Sequence, residues 1–268
     1  MKIDTLAYTN RLNRLPPEHK LGFALVLLLI SYLAPIAVQM LIFLWVSVWI
    51  VIYAKIPAAV YFKLLGITIG FWVMSIPALI LNGVGIENLA QVRADSWGGW
   101  RWGDFYLYIS HQGVTQATTL GIRSIAASAC IYLILLTVPF SALLDILRRI
   151  GCPTLMVELL FLMYRFIFVL LATAQEIWIA QQSRGGYRTR QVWLKSISLL
   201  IGQLLRRTLA NYQQVSLSLV ARGFNGELQV WHSRPYIASK RYMWEAAFGC
   251  VILVFLAGLI HVVGIRAN

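Results

Sequence analysis

Residues 154–183 read TLMVELLFLMYRFIFVLLATAQEIWIAQQS and run straight into Arg184-Gly185-Gly186. This stretch decides the fold. It is apolar enough to cross a bilayer, which takes about 20 residues as a helix. The next segment opposes a crossing: residues 184–241 carry ten basic side chains and a single acid, Glu227. Loops rich in lysine and arginine stay on the cytoplasmic side of a membrane, and one crossing by 154–183 would carry all ten cations outside. Glu158 and Arg165 lie inside the stretch, and a charge near the centre of an inserted helix costs about 2.5–3.5 kcal/mol. Glu176 and Gln181 continue it as polar. The stretch is therefore expected to lie on the inner face as an apolar helix. Insertion of 154–175 as a sixth span is the alternative.

Working outward, the whole chain reads as membrane-embedded. Only 12% of its 268 residues are charged, about half the share in soluble domains, so the polar surface is too small to wrap a globule of this size. Spans are expected near 21–35, 36–54, 60–81, 113–139 and 243–263. Pro35 marks the first turn, Lys55 and Pro57 the second, and Pro139 the end of the fourth span. Residues 82–112 form a polar external loop, with Trp97, Trp100 and Trp102 suited to the headgroup zone. Lys2, Arg11, Arg14 and Lys20 hold the N-terminus inside, and five crossings put the C-terminus outside. The first apolar run begins only at Leu21 and no small-residue cleavage site comes after it, so the first helix is expected to remain in the mature protein. The net charge of +13 is assigned to inner-face loops rather than to nucleic acid. The expected fold class is an all-α integral membrane protein with about five transmembrane helices. Residues 1–139 form its N-terminal membrane region, 140–241 a cytoplasmic module of amphipathic helices, and 242–268 the C-terminal helix.

Two patterns organise that module. Residues 140–150, FSALLDILRRI, place Leu143, Leu144, Leu147 and Ile150 on one helix side, and Gly151 and Pro153 stop it. Residues 191–220 repeat Trp193, Ile197, Leu200, Leu204, Tyr212, Val215 and Leu219 at helical spacing, so an apolar face must lie against the membrane, a sister helix or a partner. The two long helices end alike, as Ser183-Arg184-Gly185-Gly186 and Ala221-Arg222-Gly223-Phe224. Either end alone is an ordinary glycine cap. The repetition suggests more: a guanidinium on a rigid helix tip can take a carboxylate through two parallel hydrogen bonds, which lysine cannot.

Chemistry-bearing constellations are few. His19, His111, His232 and His261 are scattered, and Cys130, Cys152 and Cys250 form no C-x-x-C pair, so no metal ligand or cofactor site is expected. No phosphate-binding G-x-x-x-x-G-K-[ST] loop occurs, so ATP hydrolysis would belong to another polypeptide. Asp95, Asp104 and His111 are the candidates for a membrane-embedded enzyme, without a catalytic spacing. Arg123, within the fourth span, is the candidate for a solitary channel or carrier; snorkelling from near a helix end is the preferred reading.

Ile3-Asp4, Ala7-Tyr8-Thr9-Asn10-Arg11-Leu12, Pro16, Glu18 and Lys20-Leu21, together with the paired arginine–glycine ends, resemble the T component of energy-coupling-factor transporters in its CbiQ-type cobalt/nickel branch. The resemblance covers essentially the whole chain. The second signature is intact as Ala221-Arg222-Gly223; the first departs mildly, with Ser183 ahead of Arg184-Gly185. The resemblance implies a bacterial inner-membrane protein, non-catalytic and free of cofactors. Its two signature helices would cross on the cytoplasmic side and dock their tips in two copies of an ABC-type ATPase, with Arg184 and Arg222 as docking residues. A CbiM-like membrane capture subunit, and a small accessory membrane subunit, would complete an importer for cobalt, with nickel as the alternative cargo.

Overall fold

The computed structural model describes residues 2–85, 96–102, 105–223 and 240–267. Their helices are α1 (Lys2–Thr9), α2 (Pro17–Leu33), α3 (Ile36–Val48), α4 (Ala58–Ile80), α5 (His111–Thr137), α6 (Phe140–Arg149), α7 (Thr154–Ser183), α8 (Arg190–Ala221) and α9 (Lys240–Ala267). A π-turn, Trp49–Tyr53, prolongs α3. The chain divides into two compact units, residues 1–142 with 235–268, and residues 143–234.

The fold is an all-α membrane architecture with one small addition. The expected external loop contains an antiparallel sheet of β1 (Leu81–Gly85), β2 (Ser96–Trp102) and β3 (Phe105–Ser110), in the order β1-β3-β2. Leu81 faces Ile109 and Gly85 faces Phe105 across the first pair. The alternation was hidden in the sequence by glycines and clustered tryptophans, which read equally well as an interfacial loop.

Among the described residues, five helical segments are long and apolar enough to cross a membrane: Ile36–Tyr53, Ala58–Ile80, His111–Thr137, Thr154–Ser183 and Lys240–Ile260. Their number matches the expectation, but their membership differs. α7 qualifies by length and composition, whereas α2, with 17 residues, is not among them. α2 begins at Pro17, where a proline suits the first helical position, and ends at Leu33, with Ala34 as its cap before Pro35.

α5 is the hub of the first unit. Gly113, Ala117 and Gly121 recur every four residues along one buried face, followed by Ala126, Ala129, Cys130 and Leu133. In a bilayer, lipid is as apolar as leucine, so helices associate through close packing of small residues. The Trp72 indole of α4 lies across this stripe and donates to the Ala117 carbonyl at 2.9 Å. The buried layer continues through Leu27, Val38, Ile42, Val46, Ile50, Tyr61 and Leu65.

The N-terminal segment grips the end of α5. The last carbonyls of a helix lack intrahelical donors. Here Asn10 Nδ2 donates to the carbonyls of Leu136 (3.2 Å) and Thr137 (3.4 Å), and Lys20 Nζ donates to Thr137 (3.0 Å) and Leu12 (3.2 Å). Tyr8 Oη lies 3.2 Å from Ser141 Oγ. Asn10, Lys20 and Tyr8 belong to the N-terminal pattern that carries the family resemblance, and the resemblance gave them no task.

A Cβ at Gly121 would collide with the Trp72 indole. Gly121→Ala is therefore expected to cost about 1–3 kcal/mol through overpacking and to lower the unfolding temperature in detergent. Gly66→Ala, where nothing lies within 4 Å, serves as the neutral or stabilising control in the same assay.

Candidate coupling site

The second unit is built from two long helices that share a tight turn. α7 ends by a Schellman arrangement. Arg184 is its cap residue. Gly185, at φ +72, donates to Gln182 (3.1 Å), and Gly186 donates back to Gln181 (2.8 Å). α8 also ends on a left-handed glycine: Arg222 caps it, and Gly223, at φ +69, donates to Val220 (3.0 Å). Both glycines occupy the left-handed region where a side chain is costly. The geometry explains why glycine follows arginine at each tip.

Arg184 and Arg222 are both exposed. Neither guanidinium has an ion-pair partner among the described residues. Ser183 turns its hydroxyl back onto the Ala180 carbonyl at 3.0 Å, so it closes the helix and leaves the tip to the arginine. Ala221 is the last residue of α8. The first tip packs beside Ser196, in the second turn of α8, and the second tip ends that helix, so roughly 39 Å of helix separates them at 1.5 Å per residue. Two arginines that far apart cannot serve one small binding site.

The first tip is braced by residues to which the sequence reading gave no such role. Gln181 Nε2 donates to the Ser196 carbonyl (3.0 Å), the Tyr187 hydroxyl donates to Gln181 Oε1 (2.6 Å), and Ser196 Oγ donates to the Gly186 carbonyl (2.6 Å). Trp178 stacks on Tyr187 with ring centroids 4.0 Å apart, and Thr189 caps the start of α8. A Cβ at Gly186 would lie 2.8 Å from both the Gln181 carbonyl oxygen and Ser196 Oγ. The second glycine of Arg184-Gly185-Gly186 was the available signal: one glycine ends the helix, and the next lets α8 approach.

Away from that turn the two helices leave each other uncovered. No residue of α7 is buried, and only Ser196 of α8 is. On the expected apolar face of α8, Ile197, Leu200 and Leu204 are half-buried, while Trp193, Tyr212 and Val215 are exposed. Leu217 and Val220 near the second tip are 71% and 73% exposed. A surface ion pair links Arg207 to Glu176 at 3.3 Å, and such exposed pairs contribute little. α6 departs from expectation: Ala142, Leu144 and Ile146 are buried, whereas Ile150 lies past its last turn and is 77% exposed. Gly151, at φ +99, ends it.

The other candidates do not converge. Asp95 and Asp104 lie outside the described residues, and His111 starts α5 on the surface. Arg123 is the thirteenth of the 27 residues of α5, in mid-helix rather than near an end. Its guanidinium lies 5.2 Å over the Tyr32 ring, a cation–π contact.

A family model described as CbiQ, cobalt transport protein, matches residues 9–232. The chain belongs to this family. Relatives include an uncharacterized protein of Methanocaldococcus jannaschii, 25% identical over 96% of this chain and 92% of that one. The cobalt transport protein CbiQ of Salmonella typhimurium is 27% identical over 85% of this chain and 99% of its own length. A putative fused cobalt transport protein CbiMQ of Methanocorpusculum labreanum is 27% identical over 94% of this chain and 41% of its own. Family membership and five membrane-length apolar helices together make this a multi-pass membrane component of cobalt transport.

Gly186→Ala is expected to open the turn between α7 and α8, read as faster amide hydrogen exchange over residues 184–189. Gly185→Ala should add about 1–2 kcal/mol of left-handed backbone strain at the same place. Gly202→Ala, within α8 and with nothing inside 4 Å, should leave exchange unchanged or slower.

Proposed function

We propose that the chain is the coupling subunit of an energy-coupling-factor importer for cobalt, transmitting the motion of two ABC-type ATPase subunits to a membrane capture subunit. The observation that carries this reading is the pair of exposed arginine tips, without ion-pair partners among the described residues, on rigid glycine-capped helix ends separated by roughly 39 Å along α8. That separation suits one tip per ATPase. Each arginine enters a groove and takes a carboxylate bidentately, so closure of the ATPase pair displaces the two ends of one stiff rod. The chain itself is non-catalytic in this scheme.

The uncovered sides of α7 and α8 supply the other half of the coupling. Apolar side chains exposed along two whole helices mark an interaction surface rather than a finished core. The capture subunit rests there and is reoriented when the tips move. The fused CbiMQ relative supports a CbiM-like partner, since a protein of that name joins the two functions in one chain. On this reading α7 lies along the inner face although its composition would let it cross. The N-terminus is cytoplasmic, residues 143–234 face the cytoplasm, and the protein sits in the bacterial inner membrane.

Arg184→Glu and Arg222→Glu should each lower cobalt uptake and loosen co-purification of the ATPase, while membrane insertion persists. Full ATPase recovery with both arginines reversed is the result against the coupling reading. Orientation has its own test: a cysteine placed at Arg188 should react with an impermeant maleimide in inside-out vesicles and stay unlabelled in intact cells.

A further inference from the structure

A cleft of about 400 Å³ opens in the first unit between the early turns of α2 and α9 and the last turns of α5. Phe23, Val26, Trp49, Leu133, Ala247 and Cys250 make its apolar wall. At one end, where α2 and α9 begin, it is lined by His19, Lys20 and Lys240, with Glu18 beside them. His19 and Lys240 are exposed, and Lys20 is buried at 7% exposure. An ammonium carries three N–H donors. Lys20 gives two to the carbonyls of Leu12 and Thr137, and the third has no partner among the described residues.

We propose that this cleft holds one anionic phospholipid of the surrounding bilayer, its phosphate at Lys20, His19 and Lys240 and an acyl chain against Phe23, Trp49 and Ala247. The shape selects the occupant. An α-helix is 10–12 Å wide with its side chains, so about one turn would fill the volume, too little to seat a partner helix; an acyl chain is slender enough. A free phosphate would use the cations and leave the apolar wall unexplained. The charged end lies where helices leave the apolar layer, the level of lipid headgroups, and basic pockets between membrane helices suit anionic headgroups. Burial pulls the pKa of the Lys20 ammonium down to about 8, and an anion beside it would raise that value again. α9 forms one side of the cleft, so the lipid ties this last helix to α2 and α5. The inference is independent of the coupling role.

The test is native mass spectrometry of the full-length chain in mild detergent, titrated with dioleoyl phosphatidylglycerol, dioleoyl phosphatidylcholine or inorganic phosphate. One phosphatidylglycerol should be retained per chain, in preference to phosphatidylcholine, and inorganic phosphate should not displace it. Lys240→Gln removes one cation and should weaken retention about fivefold. Ala247→Trp, which fills the apolar end, should weaken it further while circular dichroism keeps its helical signal. Equal retention of the two lipids, displacement by phosphate at matched concentration, or retention unmoved by both substitutions overturns the proposal.

Discussion

The structure of the first unit depends on one constraint, the smallness of α5 where it meets α4. Inside a bilayer there is no water to expel between helices, so packing has to come from close approach. Gly113 lets the backbone at Leu79 and Ile80 approach, and beside Ala117 and Gly121 the Trp72 indole fills the space while finding a carbonyl for its N–H. A tryptophan N–H buried without a partner would cost free energy. Contact and hydrogen bond are thus satisfied by the same placement. With α5 fixed, its far end becomes an anchor, and the N-terminal segment closes over that end through Asn10 and Lys20.

The second unit obeys the opposite rule. Its helix ends are tightly specified, by left-handed glycines, a Schellman turn and a ring of hydrogen bonds around Gln181. Its helix sides are left open, with scarcely a buried residue between them. A protein that finished its own core would have no apolar area left to offer. Stiff ends and uncovered sides together suit the lever that the proposed coupling role requires, one that keeps its shape while what it touches changes. The second unit is thus defined by what it does not bury, and the first by what it does.

Much of this was readable from the chain. Low charge density and apolar runs dictated a helical membrane protein, because neither helices nor lipids tolerate another solution for those residues. The arginine–glycine ends were visible because the left-handed position past a helix end favours glycine strongly enough to leave a mark. The strands of 81–110 were not visible: glycine and tryptophan there fit an irregular loop as well as a sheet, and only pairing with β3 separates the two. The face of α6 was misjudged at Ile150 because helical periodicity says which residues share a side, not where the helix stops.

What the sequence determined by itself is class, the order of the long helices and their two arginine–glycine ends, since these arise from local preferences of a few neighbouring residues. Tertiary structure alone decided that Asn10 and Lys20 serve the end of α5, more than a hundred residues away. It also decided that Gly186 matters because Ser196 approaches it, and that α2 and α9 leave a cleft between them. Each of these is a meeting of groups distant along the chain. Such meetings depend on how whole helices are placed, and no local periodicity encodes that.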